Sequence, residues 1–507
     1  MPSFSLILIL AVASCRYPNT SGKMMTTENF QKLYSASVLN SISIGENGPI
    51  KLADEQFLKK IAHFVRERRP ERVPSPIGNG AFGFFECTNP TLSNISSASL
   101  FAHVGKRSDV VIRFGTPTAR PGGTENRRAP VTFGIRFFTD EGNWDLLAFS
   151  SPIFFVREGI RFPDLTHSVN LDPANNLFTL NEVVDLINHN PELLSEIFYF
   201  FSDLFVPDGW RSIDGFSINT FKLKNDSGKM VYVRFKLETQ QKRKFTTEEE
   251  LINYGANIPD YQSRDLYSAI LRGDYPQWIF KAQILDMDKA DELDFNPFDT
   301  TRLWDERRFS SIILGKVVLN KNPTNWFSQI EQLALNPGHL VDGIEFGPDK
   351  LLQSRLQAYR DSHNYRLGPN HFQLGANAAR VPAHQPTVTD GLCFSPVADQ
   401  EAANFYPNSM SKSRDSMTKE SNFYSHLEDT LIRRFQTGTD DYYSQPDWIW
   451  RSFTFDHQER VIQRLISYLA RVDGQIGSRF IEHVRGANSQ FHCRLVSAIM
   501  NGTSSCQ

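Results

Sequence analysis

Short runs of β-branched and aromatic residues, bounded by Gly, Pro or Asn, dominate the chain between residues 110 and 285. "VVIRFG" (110–115), "VTFGIRFFT" (131–139) and "WDLLAF" (144–149) read as strands. "FSINTFKL" (216–223), "MVYVRFKL" (230–237) and "WIFKAQIL" (278–285) continue the pattern, and Asn225-Asp226-Ser227-Gly228 predicts a hairpin turn between two of them. Helical spacing interrupts the strands. "LADEQFLKKIAHFVRER" (52–68) predicts a helix within an N-terminal arm. Ser263 is placed to cap "RDLYSAILR", which stops at Gly273. Asp456 with Glu459 predicts a capping-box start, with Val461, Leu465 and Leu469 on one helix face until Gly474. Residues 373–430 hold Pro, Ala, Asn and Gly with little periodicity, which predicts a long wrapping segment. No internal repeat is visible. The pattern is that of an α+β chain: a large antiparallel β-domain, a wrap and a helical C-terminal domain.

Gly78-Asn79-Gly80-Ala81-Phe82-Gly83 is a literal G-x-G-x-x-G. A dinucleotide loop must follow a buried strand, open a helix and meet an acidic residue about 20 positions on. Here "VPSPI" precedes it, and Pro74 and Pro76 cannot serve a central parallel strand. On the C-terminal side, "AFGFFECT" has strand character rather than helical spacing. The glycines therefore predict a tight turn that permits close backbone approach.

At 507 residues the chain can bury a large core, and its length suggests roughly two to four domains. The formal net charge of −3 leaves no basic footprint for nucleic acid. Forty phenylalanines predict a thick aromatic core or an apolar pocket for a flat ligand. Cys15, Cys87, Cys393, Cys493 and Cys506 form no C-x-x-C pair, which argues against a zinc site; Cys493 and Cys506 either close a small loop or stay as thiols. Phe4 to Ala13 is a ten-residue apolar run ending in Ala11-Val12-Ala13, too short to span a bilayer and suited to a signal peptide, although no Lys or Arg precedes it. Sequons at Asn19, Asn94, Asn225 and Asn501 permit glycosylation, and Ser505-Cys506-Gln507 is not a peroxisomal signal of the S-K-L type. Secretion is expected, with a peroxisomal or cytoplasmic location as the alternative.

The stretch "LLQSRLQAYRDSHNYRLGPN" (351–370) carries candidate chemistry. Arg355 and Tyr359 are four apart, so on a helix their heads meet on one face. A guanidinium beside a phenol favours phenolate, a hard anionic ligand and one of those that hold haem iron. The plainer reading is a surface tyrosine beside a helix neighbour.

These residues sit in a run of ordered stretches: "RERRPERV", "GNGAFGFFE", "FGIRFFTDEGNWDLL", "SPIFFVREGIRFPD", "LNKNPTNWF", "IEQLALNP", "GPDKLLQSRLQAYRDSHNYRLGPN" and "YPNSM". With them the chain resembles the haem catalases from about residue 45 to about residue 500. The resemblance implies the catalase fold, with an antiparallel eight-stranded β-barrel, and a homotetramer carrying one haem b per chain. It divides the chain into a candidate signal peptide and leader (1–23), an arm (24–70), the barrel domain (71–320), a proximal haem helix with wrapping segment (321–440) and a helical domain (441–507).

Carried over residue by residue, the resemblance makes Tyr359 the axial iron ligand and Arg355 the arginine that keeps it ionised. Asp349 matches the acid behind that arginine, and Asn219 stands where the family has a histidine. Arg72, Arg113 and Arg366 match propionate-binding arginines, and His363, Phe154 and Phe162 match residues around the porphyrin. The distal side departs from the pattern. Ser75 replaces the essential histidine, Gly115 the serine that orients it, and Phe149 the asparagine that holds peroxide. Ala129 replaces the acid of the access channel. Peroxide cleavage needs a proton moved between the two oxygens near neutral pH, and a serine hydroxyl is too weak a base. The family's NADPH-binding positions align with Ser195, Leu204, Glu238 and Glu306, which argue against NADPH. The expected protein keeps haem, meets hydrogen peroxide or another small haem ligand, and has lost most or all catalase turnover; a working catalase or weak peroxidase is the alternative. Neither nucleic acid nor membrane is expected as a partner.

Overall fold

The computed structural model describes residues 40–51, 54–66, 71–117, 123–381, 391, 432–434 and 440–500. Apart from a short strand β1 (Ile42–Ile44), its strands run β2 (Ile77–Cys87), β3 (Arg107–Thr116), β4 (Thr132–Thr139), β5 (Gly142–Phe149), β6 (Gly215–Phe216), β7 (Phe221–Lys224), β8 (Met230–Thr239), β9 (Gln277–Asp286), β10 (Ser311–Lys321) and β11 (Ile344–Phe346). β12 (Ile432–Arg434) pairs antiparallel with β1. Antiparallel pairing runs β2–β3–β4–β5–β6–β8–β9–β10 and returns from β10 to β2, so eight strands close into a barrel without free edges.

Alternation along the strands explains both the core and the site. On β4, Phe133, Ile135 and Phe137 belong to the barrel core, while Gly134 between them faces a cavity. On β3, Ile112 and Phe114 belong to the core and Arg113 lines the same cavity. The core is aromatic: Phe137 stacks on Trp144 at 4.5 Å, and Phe85 meets Phe137 edge-on at 5.8 Å. With the barrel interior filled, the cavity lies on its outer wall.

The helices are α1 (Glu55–Val65), α2 (Phe162–Ser168), α3 (Leu180–His189), α4 (Leu194–Phe200), α5 (Glu248–Asn257), α6 (Tyr261–Leu271), α7 (Lys350–Leu367), α8 (Ser444–Ser452), α9 (Phe455–Leu469), α10 (Gly474–Ala487) and α11 (Ser489–Ile499), of which α1–α4, α7, α9 and α10 line the cavity. Asp54 caps α1 by accepting from Phe57 N at 3.2 Å, and the helix buries Phe57, Ile61, Phe64 and Val65. Each such side chain contributes about 1.5–3 kcal/mol. A second core joins α3 and α4 to the C-terminal helices, with Trp450 stacked on Phe491 at 3.7 Å.

Four local expectations are corrected. The G-x-G-x-x-G glycines lie inside β2, not in a turn, although close backbone approach holds there. "FSINTFKL" breaks at Ser217–Thr220 into β6 and β7, because Ile218 takes φ +52° and Asn219 N bonds back to Ser217 O. Ser263 lies within α6, whose cap position is Asp260, and its hydroxyl is drawn instead to Glu125. Thr454, not Asp456, caps α9, and Gly474 opens α10 rather than closing α9. Elsewhere the residue 225–228 hairpin joins β7 to β8 as expected.

Cys87 is a buried free thiol and Cys493 is disulfide-bonded, while Cys15, Cys393 and Cys506 lie outside the described residues. The Phe4–Ala13 run and most of the wrapping segment also lie outside them. No helix among the described residues is long and apolar enough to cross a membrane.

Candidate functional site

Helix α7 lays Leu351, Arg355, Ala358, Tyr359 and Ser362 along the cavity at helical spacing. Arg355 donates from Nη2 to the Tyr359 phenol oxygen at 3.3 Å, and its guanidinium lies 5.4 Å from the ring centroid. On its other side Arg355 Nη1 donates to Asn219 Oδ1. Asn219 Nδ2 donates in turn to Asp349 Oδ2 at 2.8 Å. Asn219 lies in the break between β6 and β7, where its backbone bonds back to Ser217 and its side-chain amide makes both of these contacts. Asp349 also caps α7 through Leu352 N at 2.9 Å. Burial pushes its carboxyl up, against hydrogen bonds from Asn219, Leu352 and Thr220 and the charge of Arg234. A relay Asp349–Asn219–Arg355–Tyr359 thus ends on a phenol facing the cavity.

A second group gathers at Glu331. Arg72 Nη1 donates to Glu331 Oε2 at 2.7 Å, and Arg366 lies 3.7 Å from the same carboxylate. Arg72 and Arg366 both also bond the Glu331 and Leu333 carbonyls. Arg113 donates to Ser75 O at 3.0 Å. Burial and mutual repulsion push Arg113 down to about 9 and Arg366 down to about 8, with Glu331 opposing. Arg113 Nε and Arg366 Nε are buried without a hydrogen-bond partner. Two guanidiniums on one carboxylate, with Arg113 beside them bonded only to backbone carbonyls, leave room for further negative charge.

Two glycines make this possible. A Cβ at Gly78 would stand 2.9 Å from the Arg113 guanidinium carbon and 2.2 Å from Phe114 O. A Cβ at Gly115 would stand 2.8 Å from Arg113 Nη1. The first glycine of the G-x-G sequence, with Gly115 on the neighbouring strand, therefore cradles an arginine.

The opposite half of the cavity is apolar. Phe154 stacks with Phe162 at 5.8 Å and meets Phe149 edge-on at 5.3 Å. Ser75, between Pro74 and Pro76, is buried and takes φ +60°, a left-handed conformation that costs a non-glycine residue about 1–3 kcal/mol. Thr132 Oγ1 stands 3.0 Å from Ser75 Oγ and 3.1 Å from Gly115 O. Ala129 lines the cavity nearby. His363 is the only histidine among the described lining residues; its Nε2 lies 2.7 Å from Leu335 O, and burial, then Arg366, holds its imidazole well below the usual range.

The structure thus brings Tyr359, Arg355, Arg72, Arg113, Phe149, Phe154, Phe162, Ser75 and His363 to one cavity; Arg366 and Gly115 are not among its lining residues, and Arg366 sits beside Glu331. Sequence reading missed Glu331 and Thr132. Three arginines expected around one ligand were the signal for Glu331, since a carboxylate among buried guanidiniums lowers their mutual repulsion. Glu238 and Glu306 flank Lys236 at 3.7 and 2.7 Å, and the Ser195 hydroxyl accepts from Gln445 at 2.8 Å.

Comparisons with known proteins bear on the family and the fold. A family model described as catalase matches residues 26–412. A catalase of Ascaris suum is 37% identical over 97% of this chain and 91% of its own length. A catalase of Mus musculus is 36% identical over 90% of this chain and 86% of its own. Among solved structures, a bacterial catalase superposes with a TM-score of 0.80 at 30% identity, covering 97% of this chain and 98% of that one. Catalase A from Saccharomyces cerevisiae gives 0.78 at 28% identity, covering 94% and 98%.

Proposed function

The chain belongs to the catalase family, and from that premise we propose that it binds haem b and has lost all or most peroxide dismutation. The residues present fit the cofactor. Two unpartnered guanidinium nitrogens and three arginines near a single carboxylate, Glu331, suit the two propionates of a porphyrin. Tyr359 would hold the iron, Arg72, Arg113 and Arg366 the propionates, and Phe154 and Phe162 the ring. The chemistry haem supplies when bound is redox cleavage of a peroxide O–O bond.

Ser75 carries the second half of the reading. Its hydroxyl faces the hydroxyl of Thr132, and neither group is a base near neutral pH. Positioned acid–base help is worth roughly 10²–10⁴-fold, and the lining histidine, His363, sits on α7 beside Tyr359, engaged with Leu335 O. Phe149 offers peroxide no hydrogen bond. The family premise supports a homotetramer, and the apolar run at Phe4–Ala13 supports secretion.

Absorption spectroscopy of the purified protein tests haem, with a Soret band expected. Oxygen release from hydrogen peroxide, normalised to haem, tests the loss. A rate within tenfold of an ordinary catalase overturns that part and leaves the haem assignment standing.

A further inference from the structure

Two of the sequons meet in space. Asn94-Ile95-Ser96 begins on the last residue of the short helical turn Leu92–Asn94, and Asn225-Asp226-Ser227 lies in the hairpin between β7 and β8. Asn225 Nδ2 donates to Asn94 O at 2.8 Å, which joins segments 131 residues apart into one surface patch. Asn19 and Asn501 lie outside the described residues.

The two asparagines differ in what they already do. The Asn225 amide closes its own turn, since its Oδ1 also accepts from Ser227 Oγ at 2.8 Å and from Lys229 N at 2.9 Å. A sugar on Asn225 Nδ2 would crowd its contact with Asn94 O. Asn94 takes part in that contact through its backbone carbonyl, and the residue is exposed. Its backbone is held from both sides: Asn94 N donates to Thr91 O at 3.1 Å, and Ser97 N to Lys224 O at 2.8 Å. An exposed asparagine on so fixed a backbone accepts a bulky polar group without repacking.

Ser96 sets the timing. It is buried, and its hydroxyl donates to Gly343 O at 2.9 Å and accepts from Ala98 N at 3.2 Å. A transferase that reads the sequon hydroxyl reaches it only before this segment docks on the barrel.

We propose that Asn94 carries an N-linked glycan, attached before the chain folds. The amide nitrogen bonds the anomeric carbon of an oligosaccharide as the bond from that carbon to a lipid-linked pyrophosphate breaks. The pyrophosphate leaves with the bonding pair, and the amide gives up one proton. The proposal rests on the secretion reading above, because this modification belongs to secreted proteins.

The full chain is expressed in eukaryotic cells in two forms, with its own N-terminus and behind an added secretory leader. Enzymatic release of glycans in heavy-oxygen water, followed by peptide mapping, should leave a labelled aspartate at position 94 of the secreted chain and none at 225. Asn94→Gln should remove this glycan with the chain still secreted, because the bond from Asn225 goes to the backbone. Unglycosylated protein made in bacteria should gain a glycan at Asn94 from solubilised transferase when unfolded and none when folded. Equal modification of the two states overturns the timing. An unmodified Asn94 in the secreted, leader-bearing chain overturns the proposal. Modification that requires the added leader overturns the secretion reading and leaves Asn94 as the acceptor.

Discussion

Asn219 and Asp349 meet behind α7 through a 2.8 Å hydrogen bond from amide nitrogen to carboxylate. The oxygen of the same amide faces the Arg355 guanidinium. An amide suits this place because it donates to an anion at one end and accepts from a cation at the other. It transmits the orientation of a buried acid to the arginine that touches Tyr359. The resemblance places a histidine here in the family; asparagine keeps the bridge without a titrating ring.

Asn219→Ala should remove both contacts and leave the buried Asp349 oxygen with Thr220 N alone at 3.2 Å. Leaving a buried polar group short of partners costs about 1–3 kcal/mol. The urea midpoint should fall accordingly. A change below about 0.5 kcal/mol would show that Asp349 and Arg355 are held by other contacts.

The arginine cluster makes a separate prediction about haem. Arg113 has a buried Nε with no partner and a guanidinium seated over Gly78. Losing one charge-assisted contact costs about 1.5–3 kcal/mol, roughly tenfold to hundredfold in affinity. Haem titration of Arg113→Met, followed at the Soret band, should show that weakening. An unchanged Kd would separate Arg113 from propionate binding.

Most strands of the barrel were legible in the sequence as β-branched and aromatic runs bounded by turn residues, but β10 (Ser311–Lys321) was not among them. Ring closure was not legible from that pattern, since it depends on β10 returning to β2 across more than 220 residues. The Arg355–Tyr359 pair was visible because helical spacing forces the two together. Asn219 came only through resemblance: no local signal announces that Ile218 adopts φ +52° and breaks a strand there. The glycines of β2 misled for a physical reason. Gly78 makes room for the Arg113 guanidinium, while Gly80 and Gly83 make room for the backbones of the two neighbouring strands, and a one-dimensional reading does not show what a missing Cβ makes room for.

Glu196 yields a pH prediction. It is fully buried, accepts from Ser151 Oγ at 2.6 Å through one oxygen, and its other oxygen has no partner. Burial raises its carboxyl well above the ordinary 4.5, and the Ser151 bond opposes only in part. A carboxyl raised in the folded state contributes stability fully below the unfolded value and loses it as pH rises towards the folded value. Glu196→Gln removes that titration. The variant should match the parent near pH 4 and exceed it at pH 7 in urea midpoint. Parallel curves across pH 4–8 would mean Glu196 titrates as it does in the unfolded chain.

Position 75 allows the sharpest test, because three replacements act there together. Ser75→His supplies a base, but on a left-handed backbone between two prolines and in a cavity that Phe149 also lines. The single variant should therefore raise haem-normalised oxygen release by less than about tenfold. Phe149→Asn restores a donor for peroxide, and the double variant should gain at least about 100-fold, the lower range of positioned acid–base help. Adding Gly115→Ser does not complete the set without cost: its Cβ would stand 2.8 Å from Arg113 Nη1 and 3.0 Å from Thr132 Oγ1. One of those side chains must move, so the triple variant should bind haem more weakly than the double. Full recovery by Ser75→His alone would show that the missing base accounts for the whole loss, and that Phe149 and Gly115 are compatible with turnover.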